Sequence, residues 1–116
     1  MKIRYKIWLE KEGQVVFGKG REELLKAVED CRSLNAAAKK MKMSYRAAWA
    51  RLKASEQRAG IKLVESDGLG KGLHLTPEAR ELLRRFTALE NETRALMETS
   101  RSQFTLQKIK PRKTKN

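Results

Sequence analysis

Two serines, Ser33 and Ser44, each stand at the head of a helix-forming run, with only a short alanine-rich stretch between them. A serine hydroxyl accepts a hydrogen bond from an otherwise unpaired N–H of a first helical turn, so each is a natural N-cap. The run Leu34-Asn35-Ala36-Ala37-Ala38-Lys39-Lys40 forms a short helix, Lys42-Met43 a tight connection, and Tyr45 onward a second helix. Alanines at 36, 37 and 38 let the second helix cross close by. This is the sequence form of a helix-turn-helix, in which the second helix is presented to a DNA major groove.

The flanking sequence gives that motif its setting. Ile3, Tyr5, Ile7 and Leu9 alternate with Lys2, Arg4, Lys6 and Trp8, which predicts a strand, and Lys11-Glu12-Gly13-Gln14 turns it back through Val15-Val16-Phe17 as a hairpin over 2–17. After Gly18-Lys19-Gly20 a helix opens at Arg21, with Leu24, Leu25, Val28 and Cys31 on its core face. Leu34, Ala36, Ala37 and Met41 are expected inside the next helix. In the helix after it the expected core stripe is Ala48, Trp49 and Leu52, ending at the C-capping Gly60. The helix-turn-helix thus covers 33–59. Ile61–Glu65 and Leu73–Leu75 read as strands around a glycine-rich tip, a wing over 61–75. That tip is not a phosphate-binding P-loop: Glu65 stands where its first glycine belongs, and Gly72 follows Lys71 where a serine or threonine is needed.

Thr76-Pro77-Glu78 opens a helix running to about 104. Leu82, Phe86, Leu89, Thr93, Leu96 and Ser100 follow in alternating steps of four and three, a heptad seam widened by Leu83 and Met97. A helix this long overshoots so small a body, so Leu82, Phe86, Leu89, Leu96 and Met97 are the expected contacts of a homodimer. The alternative is packing on the helix's own domain. The fold class is therefore mainly α with small β elements: one winged helix-turn-helix domain over 1–106, then a basic tail, 107–116, expected to be disordered.

A formal net charge of +13 in 116 residues suits a polyanionic partner. Charge by itself does not separate DNA from RNA or an anionic membrane. One cysteine excludes an intramolecular disulfide, and with one histidine it makes a metal site improbable. No stretch is long and apolar enough to span a bilayer, and no signal peptide opens the chain, so a cytoplasmic location is expected. No carboxylate pair, nucleophile–base pair or cofactor motif suggests an enzyme, and none points to a bound cofactor.

Four segments resemble the N-terminal winged-helix domain of ModE-type molybdate-responsive regulators, relatives of the LysR-type DNA-binding domains. They are Ser33-Leu34-Asn35-Ala36-Ala37-Ala38, Met43-Ser44-Tyr45-Arg46-Ala47-Ala48-Trp49, Leu63-Val64-Glu65 with Gly68-Leu69-Gly70-Lys71-Gly72, and Leu75-Thr76-Pro77-Glu78-Ala79. Asp30-Cys31-Arg32 departs from the glycine that the family usually places there. The chain also ends before the oxyanion-binding domains of full-length ModE regulators, so the resemblance implies no molybdate-binding domain in this chain.

The resulting expectation is a bacterial, homodimeric, sequence-specific regulator that binds double-stranded DNA. Ser44, Tyr45 and Arg46 open the recognition helix, with Arg46 set for a base contact and Arg51 for base or backbone. Ser33, Asn35 and Lys39 are placed for phosphates, and Lys71 and His74 are carried to adjacent DNA by the wing segment 66–74. The blander reading of each is a solvated surface side chain. At the level of the whole chain the rival is a nonspecific or nucleoid-associated nucleic-acid binder.

Overall fold

The computed structural model describes residues 1–105 and Ile109. The predicted tail therefore lies outside the described residues, Ile109 apart. In chain order the elements are strands β1 (Trp8–Lys11) and β2 (Gln14–Gly18), and helices α1 (Lys19–Cys31), α2 (Leu34–Lys40) and α3 (Tyr45–Ala59). Strands β3 (Val64–Ser66) and β4 (Leu73–Leu75) and helix α4 (Pro77–Arg101) complete them, with a 3-10 turn at Ser102–Phe104. Two antiparallel two-stranded sheets, β1–β2 and β3–β4, flank the helices. This is a winged helix-turn-helix with an N-terminal hairpin and a long C-terminal helix.

The first hairpin is shorter than the alternation of residues 2–9 suggests. Its turn places Glu12 and Gly13 at positive φ (52° and 78°), the backbone of a tight primed turn. From there β2 has five residues before the chain enters α1, and Gly18 is already paired with Trp8. Residues 2–7 have no strand opposite them. They run instead beside the second half of α4, where Ile3 and Tyr5 share a cavity wall with Arg94 and Met97.

The core is built from Phe17, Leu24, Leu25, Val28, Leu34, Ala37, Ala38, Ala48, Leu52, Leu63, Leu75, Ala79 and Phe86. Three departures from the sequence reading stand out. In α2 it is Ala38 that is buried and Ala36 that is exposed, because the helix turns Leu34, Ala37 and Ala38 inward together. Cys31 is half-buried rather than enclosed, since it is the last residue of α1 and lies at the edge of the packing. Trp49 is 43% exposed and is not a core residue. The inward line of α3 is Ala48, Leu52 and Ser55, and Trp49 is rotated about 100° from Ala48, onto a flank.

The heptad seam is divided. Phe86 is 2% exposed and meets Phe17 edge to face, ring centres 5.1 Å apart, so it is part of the protomer's own core and is unavailable to a partner. Leu82 packs partly against the same core, whereas Leu89 and Leu96 are 37% and 60% exposed. With 25 residues α4 is about 37 Å long. Its first turns lie on the body and the rest extends past it.

Phe86→Ala removes an aromatic pair from a tightly packed centre and leaves a cavity. Unfolding in urea is expected to show a loss of about 3–5 kcal/mol.

Candidate nucleic-acid interface

The predicted caps form. Ser33 Oγ accepts from Ala36 N at 3.1 Å and Ser44 Oγ accepts from Ala47 N at 3.0 Å. A hydroxyl that accepts in this way still holds a proton to donate outward. Between the two helices Lys42 takes a positive φ of 57°, and Met43 N donates to Ala38 O at 2.9 Å, which closes the turn. Ala37, Ala38 and Ala48 are buried to 1% exposure or less, so small side chains occupy enclosed positions on both helices of the pair.

With Ala48, Leu52 and Ser55 turned inward, α3 presents Tyr45, Arg46, Trp49, Ala50 and Lys53 outward, all exposed. Tyr45, Trp49 and Lys53 are spaced four apart, and the Lys53 ammonium sits 4.4 Å from the centre of the Trp49 ring. Sequence reasoning missed this pair. Period counting does not tell an inward aromatic from one at the edge of the stripe, and only the Ala48–Leu52–Ser55 line settles the helix's rotation. Arg51 falls elsewhere: its Nη1 lies 3.7 Å from where a Cβ on Gly20 would be, beside the first turn of α1 and away from Arg46. Asn35 and Lys39 are exposed on α2, near the Ser33 end and one turn on respectively.

The wing is held at its root. Arg32 ends α1 in the left-handed region (φ 56°), and its carbonyl accepts from Leu73 N at 2.9 Å. A Cβ on Gly72 would come within 2.8 Å of the same carbonyl oxygen, so only glycine fits there. Arg32 also pairs with Asp67 at 3.8 Å. His74 lies between two carboxylates, Nδ1 on Asp67 and Nε2 3.3 Å from Glu65. It is thereby engaged within the wing, while Lys71 is exposed at the tip. On its other side the wing is tied to α3: Glu56 Oε2 accepts from Leu63 N at 2.7 Å and Oε1 from Lys53 Nζ at 3.0 Å. Partial burial pushes the Glu56 carboxyl up. The Leu63 N–H, the Lys53 ammonium and the Val64 N–H outweigh it, and the net shift is below the usual value.

At this junction of capped helices, exposed α3 face and anchored wing, the comparisons with known proteins agree. The profile of the bacterial regulatory helix-turn-helix proteins, lysR family, matches residues 22–80, about half of the chain. The chain belongs to this family. It is 40% identical over 73 residues to the transcriptional regulator ModE of Haemophilus influenzae, an alignment covering 60% of this chain and 29% of that protein. The matched region is thus less than a third of that relative's length. The crystal structure of a CbnR_DBD–DNA complex has a TM-score of 0.56 at 22% identity, covering 72% of this chain and 95% of that one. ArgP from Mycobacterium tuberculosis matches with a TM-score of 0.51 at 30% identity over 69% of this chain and 30% of its own. The ModE-like, LysR-like reading of the sequence is borne out, and the family is one of regulators rather than enzymes. No helix among the described residues is long and apolar enough to cross a membrane.

Glu56 gives the site a pH dependence with a definite sign. Its folded-state pKa lies below the ordinary value of 4.5, so its contribution is complete above that pH and fades as pH falls through the lowered value. Glu56→Ala is expected to cost about 1–3 kcal/mol near neutral pH, and chemical denaturation at successive acidic pH values should show the gap to wild type closing as pH falls through the lowered pKa.

Proposed function

We propose that the protein is a sequence-specific, homodimeric transcriptional regulator that reads double-stranded DNA with α3. The observation that carries this is the outward face of α3, where Tyr45, Arg46, Trp49 and Lys53 lie together on a helix whose apolar face is fully used by the core. A helix with this exposed face fits a major groove about 12 Å wide. The DNA in the CbnR complex supports the same partner for this chain.

In this reading Arg46 offers its two-donor fork to the O6 and N7 acceptors of a guanine. Tyr45 and Trp49 supply apolar contact to thymine methyl groups, and Lys53 approaches the groove edge. Ser44 and Ser33 donate their free hydroxyl protons to phosphates at the helix starts, with Asn35 and Lys39 alongside. Lys71 reaches the neighbouring stretch of backbone from the wing. His74 acts by holding Glu65 and Asp67, which keeps two acidic side chains of the wing occupied rather than turned towards phosphate. Arg51 serves the backbone rather than a base, because it stands on a different flank from Arg46.

Dimerisation is assigned to the exposed half of α4. Leu89, Leu96 and Met97 form the seam, with Leu82 at its edge and Phe86 excluded from it by burial. A two-fold dimer pairs with a palindromic site whose half-sites are about one helical turn apart or a multiple of it.

Arg46→Ala is expected to lose about 1–3 kcal/mol on fragments selected from genomic DNA and much less on random duplex, as read by fluorescence anisotropy. Equal losses on both would replace base readout with the nonspecific reading. Leu89→Asp with Leu96→Asp is expected to shift the protein from dimer to monomer in analytical ultracentrifugation while leaving its circular dichroism unchanged. A dimer surviving both changes would move the interface elsewhere.

A further inference from the structure

A second cationic group lies beside α3, away from the face just described. Arg51 reaches the first turn of α1 at Gly20, the neighbour of Arg21. Arg58, seven residues after Arg51 and on the same flank, donates from Nη1 to Val15 O at 2.6 Å, in the strand that leads into α1. Arg21 lines the cavity of about 430 Å³ at the start of α1, and its Nε is enclosed with no hydrogen-bond partner. Burial first, then the charges of Arg58 and Arg51, lower the Arg21 pKa from its ordinary value.

The charges of Arg51 and Arg58 both act against that of Arg21, while Glu90, which lines the same cavity, is paired with Lys19. Arg32, Arg80, Arg84, Arg85 and Arg101 each meet a carboxylate. Among the described residues Arg21, Arg51 and Arg58 meet none within the same 4.0 Å. A clustered, unneutralised set of planar forks is an anion site by its chemistry, and phosphate is the anion that matches the fork.

The position identifies the phosphate. The wing is tied to α3 through Glu56, on the same flank as Trp49, seven residues before it. Arg51 and Arg58 each come two positions later, about 200° further round the helix, so the arginines occupy the flank opposite the wing. A helix lying in a major groove has a backbone wall on either side. We infer that Arg21, Arg51 and Arg58 form a second seat for the DNA backbone, gripping phosphates of the groove wall that the wing does not reach. This rests on the DNA-binding reading above; it gives the backbone contact of Arg51 two partners, Arg21 and Arg58, and extends the interface to the start of α1.

The test compares the full wild-type chain with Arg21→Gln and Arg21→Lys on two duplexes of about 30 base pairs, one selected from genomic DNA and one random, titrated between about 50 and 200 mM sodium chloride. Arg58 is left in place because it also holds Val15 O. Arg21→Gln is expected to weaken both duplexes by the same factor, about fivefold to tenfold, and to reduce the slope of log K against log salt by about 0.9. Arg21→Lys is expected to restore the slope and part of the affinity. The melting temperature of Arg21→Gln is expected to equal or exceed that of wild type, since a like-charge repulsion has been removed. Unchanged affinity and slope in Arg21→Gln, or a loss confined to the selected duplex, overturns the second seat while leaving DNA binding intact. A lowered melting temperature with an unchanged salt slope assigns Arg21 a structural role instead. If wild type binds neither duplex at low salt, the DNA-binding reading and the second seat both fall.

Discussion

The close crossing of α2 over α3 governs how everything else is placed. Ala37 and Ala38 on one helix and Ala48 on the other are fully enclosed, and residues of this size bring two helix axes nearer than leucine-lined faces do. That approach fixes the rotation of α3 about its own axis, because Ala48, Leu52 and Ser55 must all face inward at once. The outward set then follows without further choice. One larger side chain at 37, 38 or 48 would lift α3 and turn Arg46 and Trp49 together, a change in aim as well as in stability.

What was legible in the sequence was governed by short-range chemistry. Ser33, Ser44 and Thr76 announce helix starts because each bond lies within three residues of the cap, and all three bonds form. Gly60 marks a helix end because a left-handed backbone costs it nothing. The departures arise where a residue's fate depends on something distant. Trp49 and Ala36 are decided by where neighbouring helices lie, and Phe86 by Phe17, which is 69 positions away. The strand expected over 2–9 has the right alternation, but its length is limited by β2, and no inspection of residues 2–7 reveals that shortage. At the candidate site the sequence marked Ser44, Tyr45 and Arg46, whereas the Trp49–Lys53 contact and the arginine cluster needed three-dimensional neighbours.

Charge is distributed with more discrimination than a net value of +13 suggests. Along α4, Glu81 pairs with Arg84 and Arg85, and Glu98 with Arg101, so much of that helix is locally balanced. At the start of α1 the enclosed Glu22 lies near Lys19 and Lys26, and the Glu90 pKa is raised from its ordinary value, first by burial and then by Glu22. On α3 Lys53 pairs with Glu56, while Arg46, Arg51 and Arg58 meet no carboxylate within 4.0 Å among the described residues.

The anchoring of the wing at Arg32 has a mechanical side. Arg32 carries the bond to Leu73, and the next residue, Ser33, caps α2. The wing and α2 therefore share a pivot one peptide wide. A shift at the end of α1 cannot move the wing while leaving the start of α2 behind, so the pair behaves as a yoke. Small displacements of α1 would tilt both arms together.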